Sequence, residues 1–168
     1  MKSVTDVCKQ FWKPNERHYT SNSSHVVCSP NFKKFASRLA SSNDEKRIAA
    51  QKQLGILKED FMLDEYERLT NSKVTHRNSK NLKCQIGNTM MIGRIDGLAE
   101  DTIIEHKYRC KGILGYVPVH ELIQCHFYMY MTQKNSCKLL ESSLNTMVIH
   151  VLTFDHVLWE RTMRTCDL

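Results

Sequence analysis

The stretch Thr89-Met90-Met91-Ile92-Gly93-Arg94-Ile95-Asp96-Gly97-Leu98-Ala99-Glu100-Asp101-Thr102-Ile103-Ile104-Glu105-His106-Lys107-Tyr108 decides how this chain is read. Its apolar and β-branched residues fall into two runs, 89–99 and 102–108, on either side of Glu100-Asp101, a pattern that predicts two strands joined by a tight turn. Residues two apart in a strand share a face. Glu105 and Lys107 are therefore neighbours on one face of the second strand, while Ile104, His106 and Tyr108 point the other way. Asp96 lies nine residues before Glu105, so hairpin pairing brings the two carboxylates together. Converging carboxylates repel each other unless a cation stands between them. Oxygen donors of this kind suit Mg²⁺, or Mn²⁺, better than zinc, and the main-chain carbonyl of His106 is a further candidate ligand. An ammonium two residues past the glutamate, Lys107, is placed to steer a water or to stabilise charge on a phosphorane-like transition state. The bland alternative is an exposed hairpin of alternating charges, because so short a motif often arises by chance. Against it stand Ile95, Ile103 and Ile104, which set the carboxylates in buried-type strands where charges are rarely placed without a partner.

Working outward, Ser42 and Glu45 stand at capping-box spacing ahead of a long helical region to about residue 69. Its apolar positions are read as Ile48, Leu54, Leu57, Phe61 and Leu63, with an interruption or kink near Gly55. Before it, Ser29-Pro30 opens a short helix to about residue 40. Residues 73–83 hold four basic residues and no acid, which fits a solvated loop, an edge strand or a phosphate-contacting segment. Downstream, Gly112, Gly115 and Pro118 mark a linker, and Leu122, Ile123, Phe127 and Tyr130 share one face of a helix over 119–131. The run Tyr128–Met131 reads as core packing. Two strands over 136–142 and 146–154 follow, and Asp155 is placed to cap a terminal helix carrying Val157, Leu158 and Trp159. Residues 1–29 are rich in Ser, Asn and His without a clear period. They are read as a loosely ordered lead-in to a single domain over 30–168.

Composition bounds these readings. The 168 residues carry 24 Lys+Arg and 18 Asp+Glu, a net +6, which allows a polyanionic partner without requiring one. With 41% hydrophobic residues the chain should fold, and only 6 Gly and 3 Pro argue against an all-β sandwich. The 7 cysteines form no CxxC pair and no zinc spacing, so a disulfide framework or zinc finger is not expected. No apolar run has signal-peptide or membrane-spanning character. The expectation is a reduced, soluble, intracellular protein, in cytoplasm or a host nucleus, neither secreted nor membrane-bound.

The segment Gly93-Arg94-Ile95-Asp96-Gly97-Leu98 with Ile104-Glu105-His106-Lys107 resembles the PD-(D/E)xK nuclease superfamily, in particular its lambda-exonuclease-like (YqaJ-type viral recombinase) branch. The continuation PVHELIQCHFYMYMTQKN over 118–135 resembles that branch's helix, with Gln124 at its glutamine position. The resemblance implies an α/β (α+β) restriction-endonuclease-like core, a central mixed β-sheet flanked by helices with the D…ExK hairpin at its heart. It further implies metal-dependent hydrolysis of DNA phosphodiesters, most specifically by a 5′-to-3′ exonuclease of viral recombination. Asp96, Glu105 and an upstream helix glutamate, Glu67 or alternatively Glu65, would hold Mg²⁺ together with the His106 carbonyl. Lys107 and Gln124 would orient water or substrate. Arg77, Lys80, Lys83, Arg109 and Lys111 would neutralise DNA phosphates without reading sequence. Arg38, Arg47 and Lys52 are candidates for the family's 5′-phosphate contact. Duplex DNA with free ends is the implied partner, with a single-strand annealing protein and a homo-oligomer as further partners that the family uses. An endonuclease of the same superfamily and a non-catalytic nucleic-acid-binding protein are the competing readings. His126 stands where the family has a second polar residue, and is either near the site or packed in the helix.

Overall fold

The structure, a computed structural model, describes residues 1–11, 17–18, 23–28, 44–79, 81–144 and 146–166. The helix expected over 30–40, Ser42, Lys80 and the side chains of Arg38, Arg47 and Lys52 lie outside the described residues. In chain order the strands are β1 (Lys2–Ser3), β2 (Arg17–His18), β3 (Ser23–Cys28), β4 (Asn81–Ile86), β5 (Thr89–Arg94), β6 (Gly97–Ala99), β7 (Thr102–Tyr108), β8 (Val117–Pro118), β9 (Ser136–Ser143) and β10 (Thr146–Thr153). The helices are α1 (Val4–Cys8), α2 (Asp44–Thr70), α3 (Val119–Thr132) and α4 (His156–Cys166), with a 3₁₀ turn at Lys9–Phe11.

The main sheet runs β3-β10-β9-β7-β6. It is mixed: β7 and β9 pair in parallel, Glu105 opposite Leu139, while the other neighbours are antiparallel. A parallel pair needs a crossover, and α3 supplies it between β7 and β9. Both faces of this sheet are covered, which is why its strands read as continuous apolar runs. Ile103, Cys137 and Leu139 join one core with Val4, Val7, Leu122, Ile123, Phe127 and Trp159 of α1, α3 and α4. Ile104 and Leu140, one residue further along each strand, join a second core with Met62, Leu63 and Tyr66 of α2. The alternation of β7 thus sends Glu105 and Lys107 toward the α3 side and His106 toward the α2 side.

The expected hairpin forms, with Ala99 opposite Thr102 and Glu100 at φ 51° in the two-residue turn. Its first strand, expected to be continuous over 89–99, is broken at Ile95-Asp96. The β5 half turns away to pair with β4 and β1 in a separate three-stranded sheet, and β6 stays with β7. The break has a packing cause: after the fully buried Ile95, the chain meets the loop that follows α2, where Thr75 and Leu98 exchange backbone hydrogen bonds of 2.7 and 2.9 Å. Gly97 allows that approach, because a Cβ there would collide with the Val74 side chain. The segment 73–83 is accordingly loop and then strand, with β4 joined to β5 by a hairpin turn at Gly87.

Two further expectations change. Residues 1–11 are not a loose lead-in: β1 pairs with β5, and Val4 and Val7 are 0% and 1% exposed in the α3-side core. Residues 23–28 pair with β10. The helix expected up to about residue 69 is continuous over Asp44–Thr70, through Gly55, and among its described side chains the buried apolar ones are Met62, Leu63 and Tyr66, whereas Phe61 is 41% exposed. Asp155 caps α4 as expected, its Oδ1 accepting from the N–H groups of Val157 and Leu158 at 2.8 and 3.1 Å. Among the described residues, no helix is long and apolar enough to cross a membrane.

Candidate active site

Asp96 occupies the gap between β5 and β6, at the edge of the main sheet, where the layers on either face open. Its backbone carbonyl accepts from the Asn78 N–H at 3.0 Å, and its Oδ2 accepts from the His106 N–H at 2.7 Å. The second contact exists because β6 ends opposite Ile104, leaving the β7 edge beyond it without a strand partner. A residue's N–H and C=O point to the same edge of a strand, so the His106 carbonyl shares that edge with Asp96. The His106 side chain belongs to the other layer: it is buried, its Nε2 lies 2.7 Å from Ser142 Oγ, and burial drives its pKa down to about 3.

Glu105 is 3% exposed. Its Oε1 accepts from Lys107 Nζ at 2.7 Å, and its Oε2 is buried without a hydrogen-bond partner among the described residues. Burial first, and then the nearby Asp96, push the Glu105 carboxyl up to about 8 despite Lys107. Lys107 keeps its proton: its pKa is raised because Glu105, Glu121 and Asp96 outweigh the cost of burying it.

The helix glutamate that meets this pair is Glu59, neither Glu67 nor Glu65. Glu59 is 9% exposed and faces Asp96, Asn78 and Glu105. Burial and the hydrogen bond and charge of Asp96 raise its pKa to about 8, and its Oε1 has no hydrogen-bond partner among the described residues. Glu67 lies two turns, roughly 12 Å, further along α2. There its Oε1 accepts from the Val74 N–H at 2.5 Å and pairs with Arg77 Nη2 at 2.9 Å, contacts that hold the loop leaving the helix and keep its pKa low. Glu65 pairs with Arg68 on the helix surface at 2.7 Å. A signal for Glu59 was present in the sequence: with Met62, Leu63 and Tyr66 it makes an i, i+3, i+4, i+7 set, a carboxylate within the buried stripe.

A cleft of about 470 Å³ opens over Asp96 and Glu105, lined as well by Gln124 and Tyr128, by Lys83 and Arg94, and by Ser3 and Thr5 of the N-terminal segment. Gln124 reaches it from the first half of α3, its Nε2 donating to Tyr128 Oη at 3.0 Å. Tyr128 at the cleft is therefore more than core packing, and Arg94 joins Lys83 as a basic residue on the wall.

The remaining basic candidates divide. Lys83 and Lys111 are exposed, whereas Arg77 is held by Asp64 and Glu67. Arg109 is not free for phosphate. Its guanidinium grips Glu121 at 2.6 and 2.5 Å and Glu141 at 3.1 Å, and Glu141 in turn accepts from Leu114 N and Gly115 N and meets the buried His150 at 3.0 Å. This cluster fixes the 109–118 connection that leads into α3. Removing one partner of a buried ion pair leaves the others uncompensated, so Arg109→Met is expected to cost about 3–5 kcal/mol in urea unfolding. Near-neutral stability together with weakened DNA binding would return Arg109 to the DNA-contacting set. His126 is packed: its Nδ1 lies 2.8 Å from Leu122 O, and its Nε2 accepts from the Asp155 N–H at 3.0 Å.

The donor set consists of carboxylate and carbonyl oxygens, and Glu59 Oε1 and Glu105 Oε2 are buried without partners among the described residues, which fits a hard divalent cation in chemistry. Among the described residues no three His, Cys, Asp or Glu side chains surround one point at coordinating separation, so the site is defined by its donors rather than by a preformed cage. A pH dependence follows. Glu59 and Glu105 hold protons in the folded state up to about pH 8 and release them near pH 4–5 when unfolded. Between those values the folded state binds more protons, so stability falls as pH rises. The thermal midpoint without divalent ions should drop from pH 5 to pH 8, and Glu59→Gln should shrink that drop. A midpoint that rises over this range would contradict the arrangement.

The fold is a mixed α/β core with the hairpin that carries Asp96, Glu105 and Lys107 at the edge of its main sheet, and solved exonuclease structures share that fold. Among solved structures, the chain is similar to the alkaline exonuclease LHK-Exo from Laribacter hongkongensis, with a TM-score of 0.58 and 16% identity over 79% of this chain and 82% of that one. It is also similar to a phage-related exonuclease from Haemophilus somnus 129PT (TM-score 0.55, 11% identity, 69% of this chain and 67% of that one). A third similar structure is SSO0001 (TM-score 0.56, 16% identity, 98% and 75%). No protein-family model matches the sequence, and no curated protein does.

Proposed function

We propose that the chain is a divalent-metal-dependent deoxyribonuclease that hydrolyses phosphodiester bonds, working from duplex ends as a 5′-to-3′ exonuclease of the viral recombination kind. The observation that carries this is that Asp96 and Glu105 line one cleft, with Lys107 paired to Glu105 and Glu59 facing Asp96 from α2, and that Glu59 Oε1 and Glu105 Oε2 are buried without hydrogen-bond partners among the described residues. The likeness in fold to solved exonucleases supports it.

Asp96, Glu105, Glu59 and the His106 carbonyl would hold Mg²⁺ or Mn²⁺. The bound cation would supply Lewis-acid activation of a water and neutralise charge on the leaving oxygen. The chain's own groups do the rest. Lys107, anchored by Glu105, presents a fixed ammonium where charge develops on the phosphorus oxygens. Burial and Asp96 raise the Glu59 and Glu105 carboxyls in the absence of a cation, so a divalent ion would bind with release of their protons, and its affinity should rise with pH. Lys83 and Arg94 on the cleft wall would neutralise backbone phosphates, which gives affinity that falls with salt and carries no sequence preference.

Incubation with Mg²⁺ and a mixture of linear and covalently closed duplex tests the reading. Loss of linear DNA alone is expected. Nicking of the closed circle would make it an endonuclease, and well-folded protein that binds DNA but digests neither would overturn the nuclease reading.

A further inference from the structure

Among the described residues, five buried side-chain polar atoms lack a hydrogen-bond partner, and three of them belong to residues gathered around Asp96: Glu59 Oε1, Glu105 Oε2 and Asn78 Oδ1. The first two are on carboxylates already placed at the site. The third is the side-chain carbonyl of a neutral residue in the loop after α2. Nearly all buried oxygens in native proteins have a donor or a cation as partner. An amide oxygen is a ligand that hard divalent ions accept.

Asn78 is held against both of the segments that bring carboxylates to the site. Its backbone N–H donates to the Asp96 carbonyl at 3.0 Å, and its side chain meets Glu59. Burial and Asp96 raise the Glu59 pKa, whereas the Asn78 side chain lowers it, which is the effect of an amide NH₂ facing a carboxylate. Oδ1 is bonded to the same carbon as that nitrogen, so it stands beside the Glu59 carboxyl with no donor of its own among the described residues. The loop is seated from several sides: Arg77 is gripped by Asp64 at 2.6 Å and Glu67 at 2.9 Å, and Ser79 N–H donates to His76 O at 3.3 Å. Asn78 itself has the left-handed φ of 49° that asparagine tolerates better than most residues.

We propose that Asn78 Oδ1 is a further ligand of the divalent cation held by Asp96, Glu105 and Glu59. The inference rests on the nuclease reading above and adds to it a residue outside both the hairpin and α2. The carboxylates alone do not surround one point at coordinating separation among the described residues, so the set lacks a donor. A neutral oxygen supplies one without adding to the repulsion among three carboxylates. Mg²⁺ takes about six oxygens in all, so there is room for it beside the carboxylates and the His106 carbonyl.

The test is calorimetric titration of Ca²⁺ into wild-type protein, Asn78→Gly and Asn78→Asp, with the thermal midpoint of each in cation-free buffer. Glycine removes the amide and takes the left-handed φ without strain, while an ionised aspartate keeps an oxygen but has no N–H to give Glu59. The expected result is a Kd for Ca²⁺ about tenfold weaker in Asn78→Gly at a near-unchanged cation-free midpoint, and a Kd in Asn78→Asp equal to wild type or tighter. Equal Kd for wild type and Asn78→Gly overturns the inference and leaves the nuclease reading standing. Weaker binding by Asn78→Asp also overturns it, making the amide a donor to Glu59, and this variant decides alone should Asn78→Gly not fold. A cation-free midpoint lowered in step with the lost affinity of Asn78→Gly would make Asn78 a loop-seating residue and overturn the proposal too. Folded wild-type protein that binds neither Ca²⁺ nor Mn²⁺ would overturn the metal dependence of the nuclease reading, and the inference with it.

Discussion

Lys107→Met is expected to lower phosphodiester hydrolysis by about a thousandfold while the protein remains folded. The ammonium is the one cation that touches the Glu105 carboxylate among the described residues, at 2.7 Å, and that ion pair to a buried partner holds it in place. A preorganised donor aimed at developing charge is worth about 10²–10³ in rate when removed. Methionine keeps most of the apolar stem that lysine packs, so the loss is chemical rather than structural. The partner left behind is tolerable because Glu105, whose pKa lies near 8, can carry a proton at neutral pH. Hydrolysis of end-labelled duplex, with circular dichroism as the control for folding, reads the result. Activity within tenfold of wild type would remove Lys107 from the reacting centre.

Glu59→Gln and Glu67→Gln separate the two helix carboxylates. The first is expected to cost about a hundredfold or more in rate, because it takes away the carboxyl group that faces Asp96 and would ionise to hold the cation. The second should change the rate less than about twofold and slightly lower stability: Gln can still accept from Val74 N–H, and the part-exposed ion pair with Arg77 is worth about 0–1 kcal/mol. Calcium binding by calorimetry should follow the same order, weakened in the first variant and kept in the second. The reverse ranking would restore Glu67 to the site and leave Glu59 as a buried, protonated spacer.

The hairpin was legible because its two signals agree: strand alternation puts Glu105 and Lys107 on one face, and Ile95, Ile103 and Ile104 mark it as buried. Glu67 was placed by the resemblance, as the helix glutamate ahead of the turn at 71–72; the packing of Met62, Leu63 and Tyr66 against the sheet instead turns the face that carries Glu59 toward Asp96, and Glu67 lies two turns further on. Arg109 illustrates a second limit. Local sequence shows a basic residue after a catalytic-type strand, but its partners Glu121 and Glu141 come from α3 and β9 and meet it only through tertiary structure. The place of residues 1–11 was hidden likewise, since β1 gains its meaning by pairing with β5, some ninety residues away in sequence. Tyr128 was masked by an apolar neighbourhood that is genuine; its place on the cleft wall depends on Gly93 of β5, where a Cβ would stand 2.7 Å from the ring.

The most direct measurement follows a linear duplex labelled at its 5′ end, incubated with Mg²⁺ and either wild-type protein or Asp96→Asn. The account predicts that wild-type protein releases the label as short product, and that Asp96→Asn, which disturbs both the carboxylate set and the contact to the His106 N–H, releases almost none at equal protein. Release at the same rate by both proteins, or by neither while both bind the duplex, would contradict the assignment of Asp96, Glu105, Glu59 and Lys107 as a phosphodiester-hydrolysing centre.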